Sequence, residues 1–363
     1  MKNIGKDFIR NLSARQKKGL LAIIIAFTLF TVLTIAVKVT ENSLYDQKAA
    51  KRWSLDGGYA QISCFFPTSY LTDDYYFLNL YHTIEAALTE ASMQPQQEGA
   101  KLFVDAYSTT GSITVSSQTA SVTIQAVGVS PNFFRFHPLS LIDGAYFDEN
   151  MIMQDGILLD EDAAWQLFGS NDIVGMQVMI GNIPYYVRGV VDRSSGHFEE
   201  TAGLDKSVCY VSADTLQRLG QIEGSYTYEI VLPNPVDGFA MQMVTTALKD
   251  DENKIDVIEN SKRFRTMPLL LDIKDFGIRS MSRKGIIYPY WENIARAYED
   301  IFAVCLFFRM IALVTALVLI GIYLVGRWKR RTFTIKDLAC TTGNKIQIIW
   351  KKSKTKKAQE REE

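Results

Sequence analysis

Two long stretches of this chain are apolar, one of them broken by a single charge, and the residues between them alternate. Gly19 to Val37 reads GLLAIIIAFTLFTVLTIAV, 19 residues without a charge. As a helix rising ~1.5 Å per residue it reaches ~28 Å, enough to cross a bilayer's hydrocarbon core. Its polar side chains are Thr28, Thr31 and Thr34, whose hydroxyls can bond to their own helix backbone, whereas a soluble helix would carry a polar stripe. The run is longer than the ~7–15 apolar residues of a signal peptide, and Lys38-Val39-Thr40-Glu41 has no small-residue cleavage site, so it reads as a retained anchor. Ile301 to Gly326 is the second run, with one charge, Arg309, in 26 residues. In a membrane that arginine either snorkels to the outer interface, the simpler reading, or faces protein.

Between the runs the pattern predicts alternating elements. GGYAQISCFF (57–66) reads as a strand. TDDYYFLNLYHTIEAALTEA (72–91) reads as an amphipathic helix capped by Thr72, with Tyr76, Leu80, Ile84, Ala87 and Leu88 on one face. KLFVDAYSTTGSITVSSQTASVTIQAVGVS (101–130) is rich in Val, Ile and Thr, with turns expected near Thr110-Gly111 and Ser117-Gln118. After an aromatic, turn-rich stretch, GILLDEDAAWQLFGSNDIVGMQVMIGNIPYYVRGVVD (156–192) predicts a strand, then a helix capped by Asp160 and stopped by Gly169. A hairpin about Gly181-Asn182, whose turn demands positive φ, follows. KSVCYVS and ADTLQRL are a strand and a helix, SYTYEIVL (225–232) a strand, and VDGFAMQMVTTALKD (236–250) a helix. The predicted fold is α+β: two transmembrane helices flank a two-lobed extracytoplasmic domain, a βαββ-type lobe with a mainly β lobe inserted at about residues 131–206. Phe133, Phe134, Phe136 and Phe147 are expected in the seam, and Tyr75, Tyr76, Phe77 and Tyr81 mostly in the core.

Charge gives this plan an orientation. Residues 1–18 carry a net +5 and residues 327–363 a net +8, which in a chain of net −1 leaves −14 between them. Positive flanks stay in the cytoplasm, so both termini are expected inside a cell membrane and the acidic middle outside. The plan is then a cytoplasmic amphipathic lead-in helix (1–18), a first span (19–38), the outer domain (39–300), a second span with its stalk (301–326) and a basic cytoplasmic segment (327–363). Basic tails also suit nucleic acid, but these abut the apolar spans, and no nucleic-acid partner is expected. YPYWENIARAYEDIF (288–302) leads into the membrane, with Tyr288, Tyr290, Trp291 and Tyr298 expected in the interfacial belt beside Arg309. Of the four cysteines, Cys64 and Cys209 lie outside in apolar runs, where free buried thiols are expected over a disulfide.

The chemistry expected of an enzyme is missing from the motifs. There is no GxxxxGK[ST] loop, so the chain itself is expected to bind no ATP. His82, His137 and His197 are scattered without ligand spacing, so no metal site is expected; His82 reads as a surface side chain and His137, before Pro138, as a turn residue. Asp73-Asp74 and Glu199-Glu200 read as helix-dipole or solvated acids, and Ser195-Gly196-His197 lacks a nucleophile-elbow context. No catalytic residue, cofactor or metal is assigned.

VSPNFF followed by GILLDEDAAWQLFGSNDIVGMQVMIGNIPYYVRGVV resembles the extracytoplasmic domain of MacB-type ABC transporter permeases. DFIRNLSARQKKGLLAIII is similar to that family's lead-in helix and first span, and RWKRRTFTIKDLACTTGNKIQII to the loop that touches the ATPase. The resemblance implies a non-enzymatic subunit that couples ATP hydrolysis by a separate ATPase to motion of the outer domain. Its work would be export of peptide- or lipid-type cargo, or mechanotransmission. It implies as partners an ABC ATPase, a second permease subunit or another copy, and membrane lipid. In the cytoplasmic loop Ile335, Leu338, Ile346 and Ile349 would dock on the ATPase while Lys329, Arg330 and Arg331 hold the membrane surface. A simple amphipathic juxtamembrane helix explains the same residues. The family continues into two further spans where this chain reads WKKSKTKKAQEREE, too charged to cross a bilayer, so a shortened, split or truncated form is expected. A two-span ligand sensor or a structural membrane protein is the alternative plan.

Overall fold

The computed structural model describes residues 13–54, 57–70, 74–95, 99–147, 154–192, 196–249, 254–275, 282–283 and 285–329. The chain divides into two units, one of residues 1–35 with 307–363 and one of residues 36–306. Among the described residues, two helices are long and apolar enough to span a membrane, α1 (Ala14–Ser43) and α9 (Tyr290–Lys329). In the first unit the side chains of α1 are largely exposed, Leu21 and Ile25 among them, as lipid-facing residues require. Thr31 and Thr34 donate to the carbonyls of Phe27 and Phe30 at 2.8 and 2.7 Å, so their hydroxyls are satisfied inside the helix. Arg309 is half-buried with its guanidinium 5.5 Å from the Phe30 ring centroid. That distance makes a cation–π contact within the unit.

The second unit is built on one sheet. Its strands are β1 (Tyr59–Phe65), β2 (Val104–Ser116), β3 (Ser121–Val129), β4 (Leu141–Gly144), β5 (Gly156–Asp160), β6 (Gln177–Ile180), β7 (Ile183–Val191), β8 (Val208–Ser212), β9 (Gln221–Ile222), β10 (Thr227–Pro233) and β11 (Asp256–Glu259). They run β11-β1-β10-β2-β3-β8-β5-β7-β4, with β6 joining β2 to β7 and β9 lying on β2. The α-helices of four or more residues described in this unit are α2 (Ala49–Trp53), α3 (Asp74–Glu90), α4 (Phe133–Phe136), α5 (Glu161–Phe168), α6 (Ala213–Leu219), α7 (Phe239–Leu248) and α8 (Thr266–Asp272), followed by the first turns of α9. A two-stranded ribbon, β12 (Ser282–Arg283) with β13 (Ile286–Ile287), precedes α9.

At one end, α3 and α7 cover β1 and β10. Phe77, Leu80, Ile84 and Leu88 bury against Ile62, Cys64, Tyr228 and Ile230. Phe77 rather than Tyr76 is the buried residue of the first helical turn, and Tyr75 is exposed. At the other end β2, β3, β8, β5, β7 and β6 pair in a closed ring, which leaves no free edge within it. Its interior holds Ile113, Val115, Ile124, Ile157, Leu159, Val178, Ile180, Val187, Cys209 and Val211, with α5 and α6 adding Ala163, Leu167 and Leu216. The ring therefore draws on β2, β3, β8 and α6 as well as the 131–206 insertion.

The turn expected at Thr110-Gly111 is absent: β2 runs straight through and pairs with β10 in its first half and β3 in its second. Glycine is needed there for another reason. A Cβ on Gly111 would sit 2.0 Å from the Gln221 carbonyl oxygen of β9, so it marks a close backbone approach. Ser117-Gln118 does turn, with Ser117 N–H donating to the Ala120 carbonyl at 2.7 Å. Asp160 caps α5 by accepting from Ala163 N, and Gly169 stops it at φ 71. At the β6–β7 turn only Gly181 has a positive φ, the pattern of a type II′ turn. Cys64 and Cys209 are free and buried in the two separate cores, and burial pushes both thiols up. Thr72 lies outside the described residues.

Candidate functional site: a buried charge network at the stalk root

The face of the sheet opposite α3 and α7 is polar at its centre. Along β1 and β10, Ile62, Cys64, Tyr228 and Ile230 point to the helices, so period-2 alternation sends Gln61, Ser63 and Glu229 to the other side. All three are buried. They are covered by the segment after α1, by α4, and by α9, whose residues 290–306 belong to this unit.

On the part of α9 in this unit the buried positions are Trp291, Glu292, Ala295, Glu299, Phe302, Ala303 and Leu306. Spacings of three and four place them on one stripe. Two carboxylates thus sit within an apolar stripe, Glu292 only 1% exposed, and a buried carboxylate requires a cation. Arg263 supplies it. A turn after β11, with Lys262 N–H and Arg263 N–H donating to the carbonyls of Glu259 and Asn260, aims Arg263 inward. Its guanidinium forks onto Glu292 (Nη1–Oε2 2.8 Å, Nη2–Oε1 3.0 Å) and donates Nε to Glu299 Oε1 at 2.7 Å. Nη1 also reaches Gln47 Oε1 at 3.0 Å and Asn260 Oδ1 at 3.2 Å. Arg296, one turn after Glu292, donates to it at 2.7 Å and to Asp256 at 3.2 Å, and lies over the Tyr288 ring at 3.6 Å.

The network continues into the sheet. Asn260 Nδ2 donates to Ser63 Oγ at 2.7 Å, Ser63 Oγ to Glu229 Oε1 at 2.7 Å, and Glu229 Oε2 meets His137 Nε2 in a short contact. The other ring nitrogen of His137 is 3.1 Å from Asp46 Oδ1, an ion-pair contact outside hydrogen-bond geometry. Gln61 holds the same segment, accepting from Ala49 N at 2.8 Å and donating to the Asp46 carbonyl at 2.6 Å. Because Asp46 adjoins Gln47, the path from Arg263 through Asn260, Ser63, Glu229 and His137 returns to its start.

Electrostatics match the geometry. Burial opposes ionisation of Glu292, but the guanidiniums of Arg263 and Arg296 outweigh it and hold its carboxyl below the usual range. Burial likewise opposes the charge of Arg263, and Glu292 and Glu299 overcome it, raising its pKa. His137 is disfavoured as a cation by burial, yet Glu229 and then Asp46 push it up to about 9. The cluster buries its Ser63 hydroxyl against the Glu229 carboxylate, away from solvent. Its chemical capacity is to lock three segments together through charges that cannot separate without exposing one another. Those segments are the one following the first apolar run, the 260–263 turn, and the start of α9.

Several sequence expectations are corrected by this packing. Tyr288 is buried against Phe65 and donates to Asp256 at 2.7 Å. Trp291 packs on Phe133 and His137, and the Tyr290 hydroxyl is 3.1 Å from that of Tyr210. These three therefore serve the outer domain's core and not a membrane belt, because the stalk is covered by the domain before it reaches the apolar run. His137 is the centre of an ion pair rather than a turn side chain. Phe133 and Phe134 do fill the space between β3, β8 and the stalk. Lys329 ends α9, while Arg330, Arg331, Ile335, Leu338, Ile346 and Ile349 lie outside the described residues. Arg263, Glu229, Glu292 and Glu299 were not read from the sequence. The usable signal was Glu292 and Glu299 in register with Trp291, Ala295 and Phe302.

A family profile described as the MacB-like periplasmic core domain matches residues 20–259. The chain is 33% identical over 105 residues to the macrolide export ATP-binding/permease protein MacB 2 of Aeromonas hydrophila subsp. hydrophila, a match covering 28% of this chain and 16% of that protein. It is 28% identical over 115 residues to the MacB of Shewanella sp. strain W3-18-1, covering 30% of this chain and 18% of that one. The matched part thus spans under a fifth of these relatives. Among solved structures it is similar to the periplasmic region of MacB from Actinobacillus actinomycetemcomitans. That match has 17% identity and a TM-score of 0.39, over 57% of this chain and 92% of that one. The extracellular domain of the noncanonic ABC-type transporter YknZ from Gram-positive bacteria matches at 19% identity and a TM-score of 0.36, over 55% of this chain and 99% of that one.

Proposed function

Because the chain belongs to the family of the MacB-like periplasmic core domain, we propose that it is a non-enzymatic permease subunit that turns ATP hydrolysis by a separate ATPase into movement of its outer domain. The observation carrying this reading is that α9 is one unbroken helix from Tyr290 to Lys329 whose first turns are clamped by Arg263, Glu292 and Glu299. A continuous helix conveys a push applied at one end, and a buried ion cluster with fixed bidentate geometry keeps the other end from slipping in rotation or register. ATP is bound by the partner, which docks on Ile335, Leu338, Ile346 and Ile349 while Lys329, Arg330 and Arg331 stay at the membrane surface. Both termini are cytoplasmic. The second permease half is another subunit or another copy. The work done is export of peptide- or lipid-type cargo or mechanotransmission; macrolide export is named for relatives of which this chain matches only a small part.

Association with the ATPase tests the reading. A tagged chain purified from its own membranes should bring down an ATP-binding-cassette subunit, and Leu338→Asp, which puts a charge into the docking face, should abolish that recovery. Equal recovery with the variant would overturn the docking assignment, and absence of any such subunit would overturn the function.

A further inference from the structure

The two faces of α8 have opposite surroundings. Leu269 is buried against Phe302 and Leu306, with Val37 and Leu44 packed alongside. Met267, Leu270 and Leu271, joined by Ile273 of the following turn Ile273–Asp275, are exposed, Met267 by 72% and Leu271 by 59%. Large apolar side chains grouped this way mark a surface that meets something other than water.

The buried face shows at what height this patch stands. Phe302 and Leu306 fall within the first residues of the apolar run that opens at Ile301, and Val37 closes the first apolar run. Leu269 is therefore packed where both runs cross the boundary between the hydrocarbon and the outer domain. Arg265 and Lys274 at the two ends of the apolar residues are exposed, with Asp272 half-buried between them. Arg265 also lines a cleft of about 420 Å³ with Lys38, Lys48 and Lys51, Glu41 being its acidic member. Apolar side chains beside a net-basic cleft at this level have the composition of a surface lying in the headgroup region, its apolar side in the acyl boundary and the cleft's cations at the phosphates.

We propose that α8 and the turn after it form a monotopic foot, inserted into the leaflet on the outer domain's side and resting there on anionic phospholipid. The foot follows Arg263 by three residues, so it fixes the height of the stalk root above the bilayer.

Photo-crosslinking of the full chain in native membranes tests this. A benzophenone side chain is introduced at Leu271, at Leu317 in the apolar run as the lipid-facing reference, and at Tyr75 on α3 as the water-facing one; both references are exposed. After irradiation, mass spectrometry of the purified chain should find phospholipid adducts at Leu271 as at Leu317, and none at Tyr75. Loss of the Leu271 adduct while Leu317 still yields one would overturn the proposal, as would a covalent dimer or another protein attached at Leu271. The same probe at Met267 is read the same way, so misfolding of one variant does not decide the outcome.

Discussion

Replacing Arg263 by methionine would leave the carboxylates of Glu292 and Glu299 buried without their shared cation, since the pairs at 2.8 and 2.7 Å both end on that guanidinium. Breaking a buried pair from one side costs about 3–5 kcal/mol, whereas replacing all partners by apolar residues is often neutral. The melting temperature of Arg263→Met should therefore fall well below that of the parent, and adding Glu292→Leu and Glu299→Leu should recover part of the loss, Arg296 giving up Glu292 but keeping Asp256. No recovery would mean that packing, not charge, dominates the site. His137 offers a pH test. Its pKa is raised from 6.5 to about 9, so the folded state holds the proton more tightly than the unfolded chain. The stabilisation is complete below pH 6.5 and is lost as pH rises through about 9. The melting-temperature gap between the parent and His137→Gln should narrow over that window, and a constant gap would show that His137 does not titrate there. At this scale little was legible in advance. His137 and Glu229 are distant in sequence and bear no motif, and only folding brings an imidazole onto the middle of β10.

At the scale of elements, α5 was legible because its signals are local. Asp160 accepts from Ala163 N within one turn, and Gly169 takes the left-handed conformation one residue after the helix ends. Asp160 also accepts from Val208 N at 2.8 Å, a contact across the sheet. Asp160→Ala should accordingly cost roughly 2–4 kcal/mol, more than a lost cap alone, because Val208 N loses an acceptor as well. Chemical denaturation of the parent and variant measures this, and a loss no larger than that of an ordinary cap would remove the cross-sheet role. Gly111 shows where local reading fails: flanked by Thr110 and Ser112 it looks like a turn, yet β2 passes straight through it. With 2.0 Å from its Cβ position to the Gln221 carbonyl, Gly111→Val should push β9 off the strand at a cost of about 1–3 kcal/mol. Hydrogen exchange should report faster loss of protection at β9 than elsewhere.

For the whole molecule, orientation is the prediction that matters most. With both flanks basic, protease added to intact cells should cut the 39–300 domain, while a tag at the C-terminus becomes accessible only after permeabilisation; the reverse pattern would invert the topology. The apolar runs, their basic flanks and the order of strands and helices were written in composition and period, because each depends on neighbours a few residues away or on the bilayer, a solvent that does not change with the fold. The closing of β2, β3, β8, β5, β7 and β6 into a ring, the burial of Tyr288 and Trp291, and the meeting of Arg263 with Glu292 and Glu299 depended on tertiary structure. Each joins segments far apart along the chain, and burial converts side chains that look ordinary in sequence into an ion cluster that water would otherwise have screened.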